Sequence, residues 1–272
     1  LLVAHDGSLG LVRQKIASIE TTKVRRAVSL LDSFSTHFGH FVFGLIPKLR
    51  VLSEESQDSE TLSVLVDQQL PDTFRRILAS LKLRLNLIEV PRGSGVQVKQ
   101  LIVPAPLKFF PDVLAAGAKE DLSARALAWP EFEFLFDDVS CTALVGKKLA
   151  LLRVEAGEGG WRRNIKYGEM IATLEAEGFR SVSHLIENFE TLHQELRESE
   201  VIFTDDGSIN AHLLLAGVRG KKILFLSHPG VSLGGHQETW VPGYLAAMGN
   251  QIFSLTVQTA APHDRNSDWW VK

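Results

Sequence analysis

The densest phosphate-binding chemistry in the chain lies just after residue 150. Arg153 is followed by Glu155-Ala156-Gly157-Glu158-Gly159-Gly160 and then Trp161-Arg162-Arg163-Asn164. A glycine-rich loop exposes backbone N–H groups, and a helix starting behind it adds the positive end of its dipole. Planar guanidinium groups supply forked donors that match the oxygens of a diphosphate. The loop is not a dinucleotide fingerprint, because Arg162 stands where G-x-G-x-x-G needs its last glycine. It is not a P-loop either, having no Gly-Lys-Ser/Thr. The same residue types also make an ordinary surface loop with solvated arginines, and composition alone does not separate the two.

A second group is Asp205-Asp206-Gly207-Ser208-Ile209-Asn210. Small polar residues where a strand gives way to a helix suit both capping and ligand contact. Asp206 fits an N-cap. The functional alternative puts the Gly207 and Ser208 N–H groups on a phosphate or a sugar hydroxyl. A third candidate is His40, in His37-Phe38-Gly39-His40-Phe41. A neutral imidazole suits proton abstraction near pH 7, and a packing or capping role is the plainer alternative. His228 and His236 lack helical metal spacing, and the single cysteine, Cys141, excludes a multi-cysteine zinc site. No metal is expected.

These residues sit at the seams of a strand–helix rhythm. Ser63–Asp67, Leu85–Val90 and Val96–Val103 read as strands. Asp72–Leu83 places Phe74, Ile77, Leu78 and Leu81 on one helical face. Further on, Lys148–Arg153, Ser181–Leu185, Val201–Thr204, Ile223–Leu226 and Gln251–Val257 read as strands. Helices are predicted around Tyr167–Leu174, Phe189–Arg197, Ser208–Gly217 and Val241–Met248, with Gly178 placed as a C-cap. Phe41, Leu45, Leu49 and Leu52 form a helical seam that Pro47 should kink or begin. Glu131–Phe136 fits a strand and a packing segment equally well. The alternation implies right-handed βαβ crossovers and parallel sheets, an α/β fold with two Rossmann-like halves. Ligands in such sheets bind beyond the carboxyl ends of the strands, which is where the Arg153 loop and the Asp206–Asn210 turn fall.

Composition narrows the classes. Hydrophobic residues make up 45% of the 272 and charged residues 22%, which are globular values. The net charge of −3 argues against a dedicated nucleic-acid binder. One cysteine forms no internal disulfide and favours a reducing compartment. No stretch approaches the ~18 apolar residues of a membrane helix.

Taken in order, these pieces resemble glycosyltransferase family 61. The stretch Phe34–Leu52, with THFGHFVFGLIPKLRVL at its centre, resembles the family's Asn-Tyr-Tyr-His-Trp…Leu-Pro-Arg-Leu segment. His40 falls on the histidine, Pro47 on the proline, and Lys48 replaces the arginine. Leu101-Ile102-Val103-Pro104 resembles its Leu-Val-Pro strand end. Leu151–Arg153 and Arg162–Met170 resemble its strand-end arginine and the Arg-Arg…Glu helix start, with Glu169 on the glutamate and Gly178-Phe179 following. Ser199–Asn210 and Gly220–Pro229 resemble the later strand–turn segments, and Asp268-Trp269 the closing aspartate. The departures are specific. Asp206 replaces a histidine, Thr191-Leu192 a Glu-Gln pair, and Phe225 a glutamate. Lys166 falls on an asparagine unless the register slips to Asn164.

The resemblance implies a GT-B-like architecture, two Rossmann-like domains facing across a cleft. Residues 1–145 would form the acceptor side and 146–272 the nucleotide-sugar side. It implies inverting, metal-independent sugar transfer from a nucleotide-sugar, with no further cofactor, to a glycan acceptor in surface (capsular) polysaccharide synthesis. His40 is then the first candidate for the catalytic base and Asp206 the second. Arg153, Arg163, Gly207, Ser208 and Asn210 would bind the donor. The expected setting is the cytoplasm, including the inner face of the membrane by peripheral contact, with no integral segment and no nucleic-acid partner. The alternative is a non-catalytic sugar- or nucleotide-binding relative of the same fold.

Overall fold

The computed structural model describes residues 21–32, 35–49, 61–81, 83–103, 143–152, 167–205, 208–227, 241–243, 245–246 and 248–256. Contacts divide the chain into two compact units, Leu1–Phe110 and Pro111–Lys272. Each unit contains its own parallel sheet, so the chain is α/β with two separate sheets. The expected boundary at 145/146 falls in the turn that opens the second sheet, closed by Lys147 N–H on Leu144 O.

In the N-terminal unit the strands are β1 (Thr21–Ser29), β2 (Leu62–Asp67), β3 (Leu85–Val90) and β4 (Gly95–Ile102). They lie in the order β3-β2-β1-β4. Helix α1 (Asp72–Ser80) connects β2 to β3 and buries Phe74, Ile77 and Leu78, the predicted face. Ala27, Leu65 and Val90 form the centre of a core joined by Ile88, Val98 and Leu101. Strand β1 has no counterpart in the sequence reading, because Lys23, Arg25 and Arg26 interrupt its apolar run.

Between β1 and β2 runs a helical segment that changes gauge twice. Phe38–His40 is α-helical, Phe41–Leu45 is π-helical and Ile46–Leu49 is a 3-10 turn. Proline explains the change. Pro47 has no N–H for Phe43 O, and its ring crowds that carbonyl. The chain widens instead, with Ile46 N–H reaching back five residues to Phe41 O. Phe41, Leu45 and Leu49 are all buried, so the predicted seam holds through the kink.

The C-terminal unit is more regular. Its elements are β5 (Lys148–Leu151), α2 (Tyr167–Ala176), β6 (Phe179–Ser181), α3 (Phe189–Glu198), β7 (Val201–Asp205), α4 (Ala211–Leu215), β8 (Lys222–Ser227) and β9 (Gln251–Thr256). Residues 241–243 and 245–246 are helical. The sheet order is β6-β5-β7-β8-β9, every neighbouring pair parallel. Alternate residues divide between its faces. Ala150, Phe203 and Leu226 pack with Leu174, Met170 and Ile171 of α2. Leu149, Leu151, Ile202, Ile223 and Phe225 have the other parity and are equally buried. Helix α2 closes at Gly178, whose φ of +82° only glycine adopts without strain, as its predicted C-cap role requires.

One element differs from expectation. Ser181–Leu185 reads as a strand, but β6 stops at Ser181 and Ser183–Leu185 is a 3-10 turn. Val182 N–H makes the last ladder bond, to Ala150 O at 3.0 Å. The next donor along, Leu152 N–H, goes to the Ser183 hydroxyl at 3.0 Å. A side chain has taken over the acceptor role of the strand, and the backbone is free to turn away.

The opposite, amino-terminal end of this sheet is locked by two buried side chains. Lys221 runs through the interior to donate from Nζ to Arg197 O, at the end of α3. Its own N–H donates to Asn250 Oδ1, while Asn250 Nδ2 donates to Val218 O and Leu245 O. Among the described residues no helix is long and apolar enough to cross a membrane. Leu52, Glu131–Phe136 and the Arg162–Lys166 helix start lie outside the described residues.

Candidate functional site

In the C-terminal sheet the second strand in chain order lies beside the first, and the third lies on the first strand's other side. The chain therefore leaves β5 in one direction and β7 in the other. Such a reversal opens a crevice beyond the carboxyl ends of those two strands, the usual ligand position in an open parallel sheet. Here those ends are Leu151-Leu152 and Thr204-Asp205.

Both ends are shaped by buried polar bonds. Thr204 Oγ1 donates to Asn210 Oδ1 at 2.6 Å, and Asn210 Nδ2 donates to Asp205 O at 2.8 Å. Asn210 thus ties the last residues of β7 to the 3-10 turn Ser208–Asn210 that leads into α4. Its amide is buried and engaged at both ends. Ser208, at the front of the turn, is only half-buried. On the β5 side, the Ser183 hydroxyl holds the N–H of Leu152 directly before Arg153. Arg153, Arg163, Asp206 and Gly207 lie outside the described residues. The described structure brings Ser208 and Asn210 together, and it ends β5 one residue before the Arg153 loop.

His40 lies in the N-terminal unit, at the end of the single α-helical turn Phe38–His40. Its ring is half-buried and meets that of His37 edge-on, with centroids 5.0 Å apart. Aromatic packing positions the turn: Phe41 stacks on Phe74 at 4.4 Å, and Phe38 lies 5.5 Å from the same ring. A polar tie lies five residues upstream of His40. Ser35 Oγ donates to Asp67 Oδ2 at 3.1 Å, and Gln69 N–H donates to Asp67 Oδ1 at 2.8 Å. Asp67 is the last residue of β2, so the segment bearing His40 is anchored at the carboxyl end of that sheet. Lys48, half-buried in the 3-10 turn, has its ammonium pKa lowered by burial, partly opposed by the negative charge of Asp32 just beyond β1.

Sequence reasoning passed over four of these residues. Asp67 had a usable signal, since it closes the SVLVD strand where ligands and turns gather. Ser35, Ser183 and Thr204 act through partners that periodicity does not reveal. It also missed a buried pair on the C-terminal unit's helices, His193 of α3 and His212 of α4. Their Nε2 and Nδ1 atoms are 3.2 Å apart. Burial pushes both pKa values down, His193 well below 6.5 and His212 to about 4, so both rings are neutral near pH 7. One ring nitrogen of the pair donates and the other accepts.

Among the described residues no group of three or more His, Cys, Asp or Glu could hold a metal ion. Set against known proteins, the chain matches no protein-family model and no curated protein.

Proposed function

We propose that the chain is an inverting glycosyltransferase that moves a sugar from a nucleotide-sugar to a glycan acceptor in surface-polysaccharide synthesis. The observation that supports it best is the β5/β7 reversal. It brings together the carboxyl ends of β5 and β7, the strands that in sequence precede the Arg153 loop and the Ser208 turn. A departing nucleoside diphosphate needs donors at the place where its charge develops. Arg153 and Arg163 would supply guanidinium groups, and Gly207 and Ser208 backbone N–H groups. Asn210 acts one step back, as a positioning residue that fixes the turn.

Inversion needs a base on the face of the sugar carbon opposite the leaving group. His40 is the first choice for that role and Asp206 the second. In this reading the two units adopt a GT-B-like arrangement across a cleft, and the enzyme works in the cytoplasm at the inner face of the membrane. The reaction breaks the bond from the anomeric carbon to the diphosphate and forms one to the acceptor oxygen, whose proton passes to the base.

A second reading has one observation in its favour. Leu192 and Phe225, which replace polar residues of the resembled family, are both buried in the core of the C-terminal unit. Those two positions offer no polar contact to a ligand, as in a non-catalytic nucleotide- or sugar-binding relative. Transfer assays across nucleotide-sugars and oligosaccharide acceptors separate the two. Release of nucleoside diphosphate with an inverted product linkage supports the enzyme. Donor binding without turnover on any acceptor supports the module.

A further inference from the structure

The two units differ in charge. Leu1–Phe110 carries 14 Lys and Arg against 10 Asp and Glu, and Pro111–Lys272 carries 15 against 22, giving +4 and −7. Both units pair some of their described cations with carboxylates and leave others, such as Arg219 in the C-terminal unit, exposed without an ion pair among the described residues. In the C-terminal unit Lys147 meets Glu195 and Glu198, Lys222 meets Glu200, and Arg180 meets Glu195. In the N-terminal unit Arg75 meets Asp72 and Glu89, and Arg92 meets Asp67, while Arg84 before β3 and three cations that share one face, Lys23 and Arg25 of β1 and Lys99 of β4, are exposed and form no ion pair among the described residues.

Their placement follows from the register. Strand β2 joins β1 only from Ala27 onward, whereas β4 runs beside β1 from Thr21. Thr21–Arg26 and Gly95–Gln100 are therefore a two-stranded extension of the sheet at its amino-terminal end. Val24, Val96 and Val98 pack against the core from this ribbon. Lys23, Arg25 and Lys99 alternate with those valines and point to the opposite, exposed face. Val24 pairs with Val98 and Arg26 with Gln100, which puts Arg25 abreast of Lys99. Like charges facing each other across strands are destabilising. A face that keeps three cations together with no anion beside them among the described residues is suited to meet an anion from outside.

We infer that this ribbon docks the chain on an anionic phospholipid surface. Each cation held near such a surface favours binding by about fivefold, so three give about a hundredfold. The C-terminal unit, at −7, is repelled by the same surface, so the attraction belongs to the N-terminal unit. The patch lies at the amino-terminal end of its sheet and the Asp67–Ser35 anchor at the carboxyl end, so docking leaves that end uncovered. A nucleic acid is the poorer fit. The exposed face of the ribbon carries no aromatic ring for base stacking, and the chain as a whole is negative. The inference does not rest on the proposed transferase activity, and its test reads no turnover.

The full chain is mixed with vesicles of phosphatidylcholine alone or with 30% phosphatidylglycerol, and bound protein is sedimented at low salt and at about 0.5 M. Wild type should bind the anionic vesicles only, and high salt should release it. Lys23→Gln/Arg25→Gln/Lys99→Gln should bind about a hundredfold more weakly with a melting temperature no lower than that of wild type. Lys99→Gln alone, on the edge strand, should lose about fivefold, which keeps the test decisive if the triple variant does not fold. Equal binding to both vesicle types, or an undiminished Lys99→Gln, overturns the inference. So does a single-stranded oligonucleotide that strips the protein from vesicles at equimolar concentration.

Discussion

The two sheets finish their central strands with different chemistry. At the end of β7 the turn is fastened by neutral groups, the Thr204 hydroxyl and the Asn210 amide, inside the core. At the end of β2 it is fastened by a carboxylate, Asp67, which takes a hydroxyl from Ser35, an N–H from Gln69, and an arginine, Arg92, at 3.7 Å. A buried neutral brace has no charge to be screened and keeps its turn pre-formed, which suits a turn that must offer N–H groups in a fixed place. A carboxylate brace with a half-exposed arginine responds to salt. The comparison teaches a division of labour. The C-terminal turn is braced by buried neutral groups, as the proposed function requires of a phosphate-binding turn, and the segment carrying His40 hangs on a carboxylate anchor and a stack of phenylalanines.

The largest expected effect tests what the N-terminal anchor holds. If His40 is the base, His40→Ala should cut turnover by about 10²–10⁴-fold while donor affinity stays within a factor of two, measured by steady-state kinetics and calorimetry. Near-normal turnover would hand the role to Asp206 or to no residue at all.

Acid should strike the C-terminal unit through its histidines. The folded pKa of His212 is lowered to about 4 and that of His193 lies well below 6.5, both through burial. Their contribution is complete above pH 6.5, the unfolded value. As pH falls below it the unfolded chain binds more protons, and stability drops by about 1.4 kcal/mol per pH unit for each histidine until the folded state also protonates. Urea unfolding at pH 7, 6, 5 and 4.5 should show this slope. A flat profile from 6.5 to 4.5 would mean that the pair titrates normally.

The two braces can then be compared directly. Asn210→Ala takes the amide from a buried hydroxyl and a buried carbonyl, leaving only the long 3.4 Å contact between the two, and should destabilise the chain by about 1–3 kcal/mol in urea. Ser35→Ala removes one hydroxyl from a carboxylate that keeps its Gln69 N–H, and should cost about 1 kcal/mol. Only the Ser35 effect should shrink when salt is raised to 1 M. Equal salt dependence would erase the distinction.

Much of this architecture was legible in the sequence. The strands β2, β3, β4, β5, β7, β8 and β9 announce themselves as short apolar runs between helical faces. Gly178 marks the end of α2 because only a residue without Cβ tolerates its backbone. Pro47 marks the kink because it lacks an N–H, although nothing short of the hydrogen-bond pattern says that the response is a π turn. Strand β1 stayed hidden because its charged residues serve an exposed ribbon that no periodicity advertises. Ser181–Leu185 misled because a serine hydroxyl and a strand carbonyl are interchangeable acceptors, and only the fold decides between them. Asn210 and Ser208 were legible as small polar residues at a strand end. That Asn210 faces inward to Thr204, and so positions the turn, follows from the three-dimensional contact alone. The His193–His212 pair joins helices 19 residues apart in sequence, and no local pattern links them.

The central claim is that the carboxyl edge of β5 and β7 receives a nucleoside diphosphate. Calorimetric titration of wild type and Arg163→Ala with the nucleoside diphosphates tests it most directly. At least one should bind wild type, and Arg163→Ala should weaken it by roughly 1.5–3 kcal/mol, the range for charged hydrogen bonds, or about 10–150-fold. Binding of none of them to wild type, or an unchanged affinity in Arg163→Ala, would contradict the account.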